Sequence, residues 1–432
     1  MGTKRQSGYE KQTPSTDPLH LGRKIIPELD GLRGLAILLV LVLHFSHFWP
    51  QDTRFSIYLG RTLSTCGSGV QLFFVLSGFL ITGILLDSKG TAPRYFRNFY
   101  MRRFLRIFPI YYAAIGLFSI YALTTAFGSA SLGRILGLHK NTDLAATVFV
   151  SYLPWLWTYT CNFWSVLHNQ YMLIVAPYWS LAIEEQFYLV WPVLVFCLPR
   201  RGIFWSSVAL ILVSVLWRCI ATAAGMGDIA IFTATLAQVN ALGIGAVMAV
   251  LVRDKQMRSL MAKVSLPALE ILGLAMGFAV AAIWLFNFEW LAVRPGVTLL
   301  EIPSGNTIEI PQWSNAVLNS LLWTVVALFY GALLSLALFS GEKRGLLGQL
   351  MSSYLMTWCG RYSYGIYIIH MPVMFVVSDL ISFVGRTPRL SWVTNVPSVP
   401  MMISAVLTFG IAYLSYNLFE KKFLALKHFF PD

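Results

Sequence analysis

Ten stretches of about twenty predominantly apolar residues recur along this 432-residue chain, near 31–49, 68–87, 107–125, 178–198, 203–223, 230–252, 266–286, 316–340, 363–384 and 400–420. At a rise of about 1.5 Å per residue each is long enough to cross the roughly 30 Å hydrocarbon core of a bilayer as a helix. The expected fold class is therefore all-α, a polytopic integral membrane protein with about ten transmembrane helices. A hydrophobic share of 57% against 12% charged residues excludes an ordinary soluble enzyme.

An eleventh apolar run, Ala145–Tyr159, is only about fifteen residues long and carries Pro154, Trp155, Trp157 and Tyr159. The basic residues decide how to treat it. If it does not cross, 24 of the 32 lysines and arginines fall on the side of the N-terminus and seven on the other. If it crosses, every later loop changes side and the bias collapses, so the positive-inside rule favours ten helices with both termini cytoplasmic. The aromatic run then becomes an interfacial or re-entrant segment on the outer side. The net charge of +13 is explained by these topology signals and calls for no nucleic acid, and 14 Trp, 19 Tyr and 30 Phe suit two interfacial belts.

The polar stretch 1–24 reads as a disordered cytoplasmic tail before a retained first helix, 25–423 as a single transmembrane domain and 424–432 as a short cytoplasmic tail. In the long outer segment Asn287–Asn315, VTLLEI, PSGN and TIEI have the alternation and turn residues of a small hairpin. The five cysteines lack CxxC or Cys/His spacing, so no metal site is expected; Cys66 and Cys161, the two in outer loops, are the pair that an oxidising compartment would join.

Ionisable groups inside apolar spans mark candidate chemistry. The run Leu29–Trp49 carries Arg33 at its foot and His44 eleven residues further on, about 16 Å along a helix axis. An imidazole that deep costs roughly 2 to 3 kcal/mol, so a partner or a task accompanies it, although a hydrogen-bonded core histidine above a basic anchor fits as well. The span from Tyr178 carries Glu184 and Glu185 about 10 Å below the outer surface, nearly level with His44. That depth allows a carboxylate to orient the imidazole as a general base, or a structural ion pair between two helices. Arg103 and Arg106, three residues apart in the basic cytoplasmic segment Lys89–Arg106, suit phosphate or anionic lipid equally. Ser77, Gly78 and Gly83 permit close helix approach, and Gln71 on the same span could bond a ligand. His370 falls in the cytoplasmic half of the ninth span, at the wrong depth to touch His44; it lines a donor channel or bonds near the carbonyls that Pro372 leaves free.

Taken together, LDGLRGLAILLVLVLHF, GVQLFFVLSGFLIT, RRFLRIFPIYY, WSLAIEEQFYLVWP, RYSYGIYIIH and SYNLFEKKF, the last around Glu420, resemble the acyltransferase 3 family of integral membrane O-acyltransferases over residues 25–423. The resemblance implies His44 as catalytic base with Glu184 or Glu185 as its acidic partner. It implies Arg33, Arg103 and Arg106 on the side of the acyl donor, where the reading of the ninth span also sets His370, and Gln71 stands where many relatives have Asp. The implied activity is transfer of a short acyl group, most often acetyl, from acyl-coenzyme A to a hydroxyl of a glycan or glycolipid, directly or through a covalent carrier. It implies no permanently bound cofactor. Acyl-coenzyme A, the acceptor and membrane lipid are the expected partners, with room for a homo-oligomer, and the expected location is the cell inner membrane. Some similar proteins continue into a hydrolase-like domain; this sequence is expected to act without one or with a separate partner. The rival readings are a proton-coupled transporter or flippase, and an acyltransferase for a lipid or a small hydroxylated metabolite.

Overall fold

The computed structural model describes residues 26–46, 53–89, 94–127, 142–286, 312–339, 345–384, 396 and 398–431, all helical or connecting, with no strand among them. The helices are α1 (Pro27–Phe45), α2 (Arg54–Ser64), α3 (Gly69–Ser88), α4 (Tyr95–Phe127), α5 (Thr142–Trp157), α6 (Cys161–His168), α7 (Tyr178–Cys197) and α8 (Arg200–Ala223). They continue with α9 (Asp228–Thr233), α10 (Thr235–Leu251), α11 (Lys255–Phe286), α12 (Gln312–Phe339), α13 (Leu346–Met351), α14 (Tyr354–Val384), α15 (Ser398–Ser415) and α16 (Lys421–Ala425). Among the described residues eight segments are long and apolar enough to cross a membrane. They correspond to the expected spans other than the first and the ninth; the first, α1, carries Glu28, Asp30 and Arg33. The expected hairpin at 297–310 and the tail 1–24 lie outside the described residues.

Two spans begin earlier than their hydropathy indicates. α4 starts at Tyr95 and not near 107, so Arg103 and Arg106 lie in its third and fourth turns and not in a loop. α14 starts at Tyr354 and not near 363, which moves His370 a further two to three turns along its helix. The helical backbone of α4 runs on through the basic residues Arg97 and Arg102, and that of α14 through Gly360 and Arg361, which interrupt the apolar pattern without ending the helix. Most of the fifteen-residue aromatic run forms the end of α5, and Tyr159, two residues beyond that helix, takes a φ of 54° before α6. All five cysteines, including Cys66 and Cys161, are free, so the expected pairing is not made.

The centre of the bundle is set by glycines. A methyl group on Gly31 or Gly34 would fall 1.8 Å or 2.1 Å from the carbonyl oxygens of Met351 and Met356, and one on Gly360 would fall 1.8 Å from that of Asp30. The first turns of α1 and α14 therefore touch backbone to backbone, in parallel, with Gly34 beside Gly360. α3 and α10 repeat the device through Gly78 and Gly245. Beside them Gln71 donates to Gln238 Oε1 at 2.5 Å and Gln238 to the Phe232 carbonyl at 2.7 Å. Gln71 is thus committed to helix pairing and does not line the pocket described below.

Candidate active site

Because side chains three and four apart share a helix face, four helices can each turn a polar stripe inward. α7 offers Ser180, Glu184, Glu185 and Tyr188, α4 offers Arg103 and Arg106, α14 offers Tyr364 and Tyr367, and α3 offers Phe73 and Ser77. With Arg33 of α1 they line one pocket. Three guanidinium groups thus face two carboxylates in the bundle interior, where unpaired charge of either sign would be expensive.

The charges are held by neighbours. Arg33 pairs with Asp30 one turn back, Nη1 to Oδ1 at 2.7 Å. Tyr188 donates to Glu184 Oε2 at 3.0 Å, which leaves the Ser77 hydroxyl, 2.5 Å away, to donate to Tyr188. The Arg103 guanidinium lies over the Tyr188 ring at 5.7 Å and over the Phe99 ring at 5.9 Å. Glu185 Oε1 is buried with no hydrogen-bond partner among the described residues, an acceptor available to a ligand. Glu420 is buried in a π-helical turn, Tyr416–Glu420, that follows α15, and accepts from Ser415 at 3.2 Å. It faces the open side of Gly365, where an added methyl would lie 3.3 Å from Glu420 Oε1.

At Tyr367 the pocket meets a second cluster. The Tyr367 hydroxyl lies 2.6 Å from Ser180 Oγ and donates to the Pro177 carbonyl at 3.0 Å. Its ring stands 5.8 Å from that of His370, which lies 4.9 Å from that of His44, with His370 Nε2 3.3 Å from His44 Nδ1. His370 therefore touches His44, against the expectation from depth. Gly34 and Gly360 meet, and His44 and His370 each lie ten residues beyond, about 15 Å up two parallel helices. The nine-residue error in the start of α14 accounts for the misplacement. Nor does His370 serve the carbonyl that Pro372 frees: Tyr178 donates to that oxygen, of Ile368, at 3.1 Å, whereas His370 Nδ1 meets the Ile366 carbonyl at 3.1 Å.

The structure thus gathers Arg33, Arg103, Arg106, Glu184 and Glu185 in one pocket and sets His44 and His370 beside it. It corrects the expectation that His370 lies at the wrong depth to meet His44, and it brings the arginine pair to the same pocket as the glutamates. Sequence reading passed over Ser180, Tyr188 and Tyr367 as site residues, and gave Ser77 only a packing role. The i, i+4 register of Ser180 and Tyr188 with Glu184 was the available signal, but tyrosine and serine are too common in membrane helices for it to stand out.

A sequence profile described as an acyltransferase domain matches residues 26–417. The peptidoglycan O-acetyltransferase OatA of Listeria monocytogenes is 26% identical over 425 residues, covering 92% of this chain and 56% of the relative. "Putative peptidoglycan O-acetyltransferase YrhL" of Bacillus subtilis is 26% identical over 415 residues, covering 92% and 55%. A "Putative O-acetyltransferase" of Staphylococcus aureus is 31% identical over 172 residues, 40% of this chain and 25% of the relative. The chain spans about half the length of the first two relatives. No solved structure matches. A profile matched over nine-tenths of the sequence, containing every helix that builds the pocket, establishes that the chain belongs to the acyltransferase 3 family.

Proposed function

We propose that this protein is a membrane O-acyltransferase that moves a short acyl group, acetyl in the first instance, from acyl-coenzyme A to a hydroxyl of a glycan. The observation that carries the reading is the juxtaposition of the arginine-rich pocket with the His44 imidazole through Tyr367. An acyl-coenzyme A donor needs both, cations for its phosphates and a base where its thioester ends. The names of the Listeria and Bacillus relatives support a cell-wall glycan as acceptor.

In this reading the chain crosses the membrane ten times with both termini cytoplasmic, as the distribution of basic residues supports, and the donor enters from that side. Arg103 and Arg106 hold the donor's phosphates through paired N–H groups, and the Tyr188 ring, itself tied to Glu184, supports the Arg103 guanidinium. Arg33, anchored by Asp30, stands between the phosphates and the thioester. His44 removes the proton from the acceptor hydroxyl as the oxygen attacks the thioester carbon. The C–O bond forms, the C–S bond breaks, and the coenzyme A sulfur leaves with the proton that His44 held. Positioning two substrates in one site supplies much of the acceleration.

The test is incubation of purified protein in nanodiscs with radiolabelled acetyl-coenzyme A and glycan fragments, wild type beside His44→Ala. His44-dependent release of coenzyme A and label on the glycan is the expected result. Folded protein that neither binds nor cleaves any of several acyl-coenzyme A donors would favour a carrier that moves its solute unchanged, and label retained on denatured protein would replace direct transfer with a covalent carrier.

A further inference from the structure

We propose that His370 is a positioning residue that fixes the tautomer and orientation of His44, a role that rests on the reading of His44 as the base. His370 Nδ1 lies 3.1 Å from the Ile366 carbonyl and His44 Nδ1 lies 2.9 Å from the Val40 carbonyl. A carbonyl oxygen only accepts, so both Nδ1 atoms carry a proton. The remaining nitrogen of a neutral His370 ring, Nε2, is then an acceptor, and it faces His44 Nδ1 at 3.3 Å. The His44 Nδ1–H is shared between the Val40 carbonyl and His370, and the His44 lone pair is consigned to Nε2, the only ring nitrogen that can then take a proton.

The same geometry makes His370 the acceptor for the imidazolium that forms when His44 takes that proton. A carboxylate does this in many hydrolases. Here the supporting ring is completely buried between two glycine-packed helices, and a neutral acceptor avoids placing an unpaired charge there. His370 is not a proton relay in this arrangement, because its own N–H is tied to a carbonyl that cannot accept a proton. Tyr367, at ring distance 5.8 Å and held by the Pro177 carbonyl, closes the side of His370 toward the pocket.

The experiment compares steady-state acetyl transfer by wild type, His44→Ala, His370→Phe, His370→Met and His370→Gln in nanodiscs, with donor binding measured separately. Phe and Met fill the space without a comparable acceptor, whereas Gln can place its amide oxygen near the lost Nε2. The expected result is a fall in kcat of about 100-fold for Phe and Met, within the range by which a misdirected base slows a reaction, at a KM for acetyl-coenzyme A within about threefold of wild type. Gln should recover at least tenfold of the loss. Folded, donor-binding Phe or Met variants with kcat within threefold of wild type would overturn the proposal, as would a Gln variant no better than Phe. Should the apolar variants fail to fold, nitrogen-15 NMR of histidine-labelled wild type decides the matter, with the His44 signal identified by its loss in His44→Ala. An Nδ1-protonated neutral ring supports the proposal, and an Nε2-protonated one overturns it. If His44→Ala itself remains active, the underlying assignment of the base fails, an outcome distinct from either.

Discussion

The arginine–glutamate pocket and the imidazole pair occupy successive turns of α14, at Tyr364 and Tyr367 for the first and at His370 for the second, yet they handle buried polarity in opposite ways. The pocket gathers full charges and compensates them with one another, with Asp30 and with the rings of Phe99 and Tyr188. The imidazole pair carries no obligatory charge and is held by two backbone carbonyls. A binding site for a polyanion gains from fixed cations, whereas a base must be able to change its charge. Keeping the two apart lets the membrane interior tolerate both.

Mutations should therefore separate the regions. The largest effect is expected at His44, where His44→Ala should lower the rate of acetyl transfer by about 1,000-fold or more while donor binding stays within about threefold, as read by labelled turnover and equilibrium binding. Next, Gly360→Ala should join the two regions in one defect. Its new methyl would collide with the Asp30 carbonyl, pry α1 from α14 and part the two imidazoles, with a stability loss of about 3 kcal/mol visible as a lower Tm in detergent and a matching loss of kcat. An unchanged Tm would show that the helices have slack. The double change Arg103→Ala/Arg106→Ala should act on the other side of the comparison, raising KM for acetyl-coenzyme A by roughly 10- to 100-fold with a smaller change in kcat, because two charge-assisted contacts to the donor are lost. A change confined to kcat would move these arginines from binding to chemistry. The smallest effect belongs to Tyr188→Phe, which removes the hydrogen bond to Glu184 and should reduce kcat/KM about fivefold, the equivalent of about 1 kcal/mol.

Within the candidate site, individual residues were legible for different reasons. His44, Arg33, Glu184 and Glu185 stood out because an ionisable side chain in an apolar run is conspicuous. Arg103 and Arg106 were found but misplaced, since a hydropathy window begins a helix where its side chains become apolar, not where its backbone becomes helical. His370 was found and assigned the wrong neighbour because Gly360 and Arg361 interrupt the apolar pattern of α14, so its span was read from residue 363 and not from 354. Tyr188 and Tyr367 were missed and Ser77 was read only as a packing residue, because a hydroxyl inside a membrane helix acquires meaning only when another helix brings it a partner.

The sequence by itself determined that this chain is a bundle of membrane-length helices, and its motifs pointed to the acyltransferase family. Chain-local hydropathy and the order of short motifs are sufficient for that. Only the tertiary structure decided which apolar helices are central. The spans Thr62–Ser88 and Arg200–Ala223 are nearly equally apolar, yet the most apolar window of the first is 78% buried and that of the second 22%. Lipid is as apolar as a leucine side chain, so hydropathy does not tell a core helix from a peripheral one. The choice falls to close packing at glycines such as Gly34 and Gly360, and with it the register that brings His370 to His44.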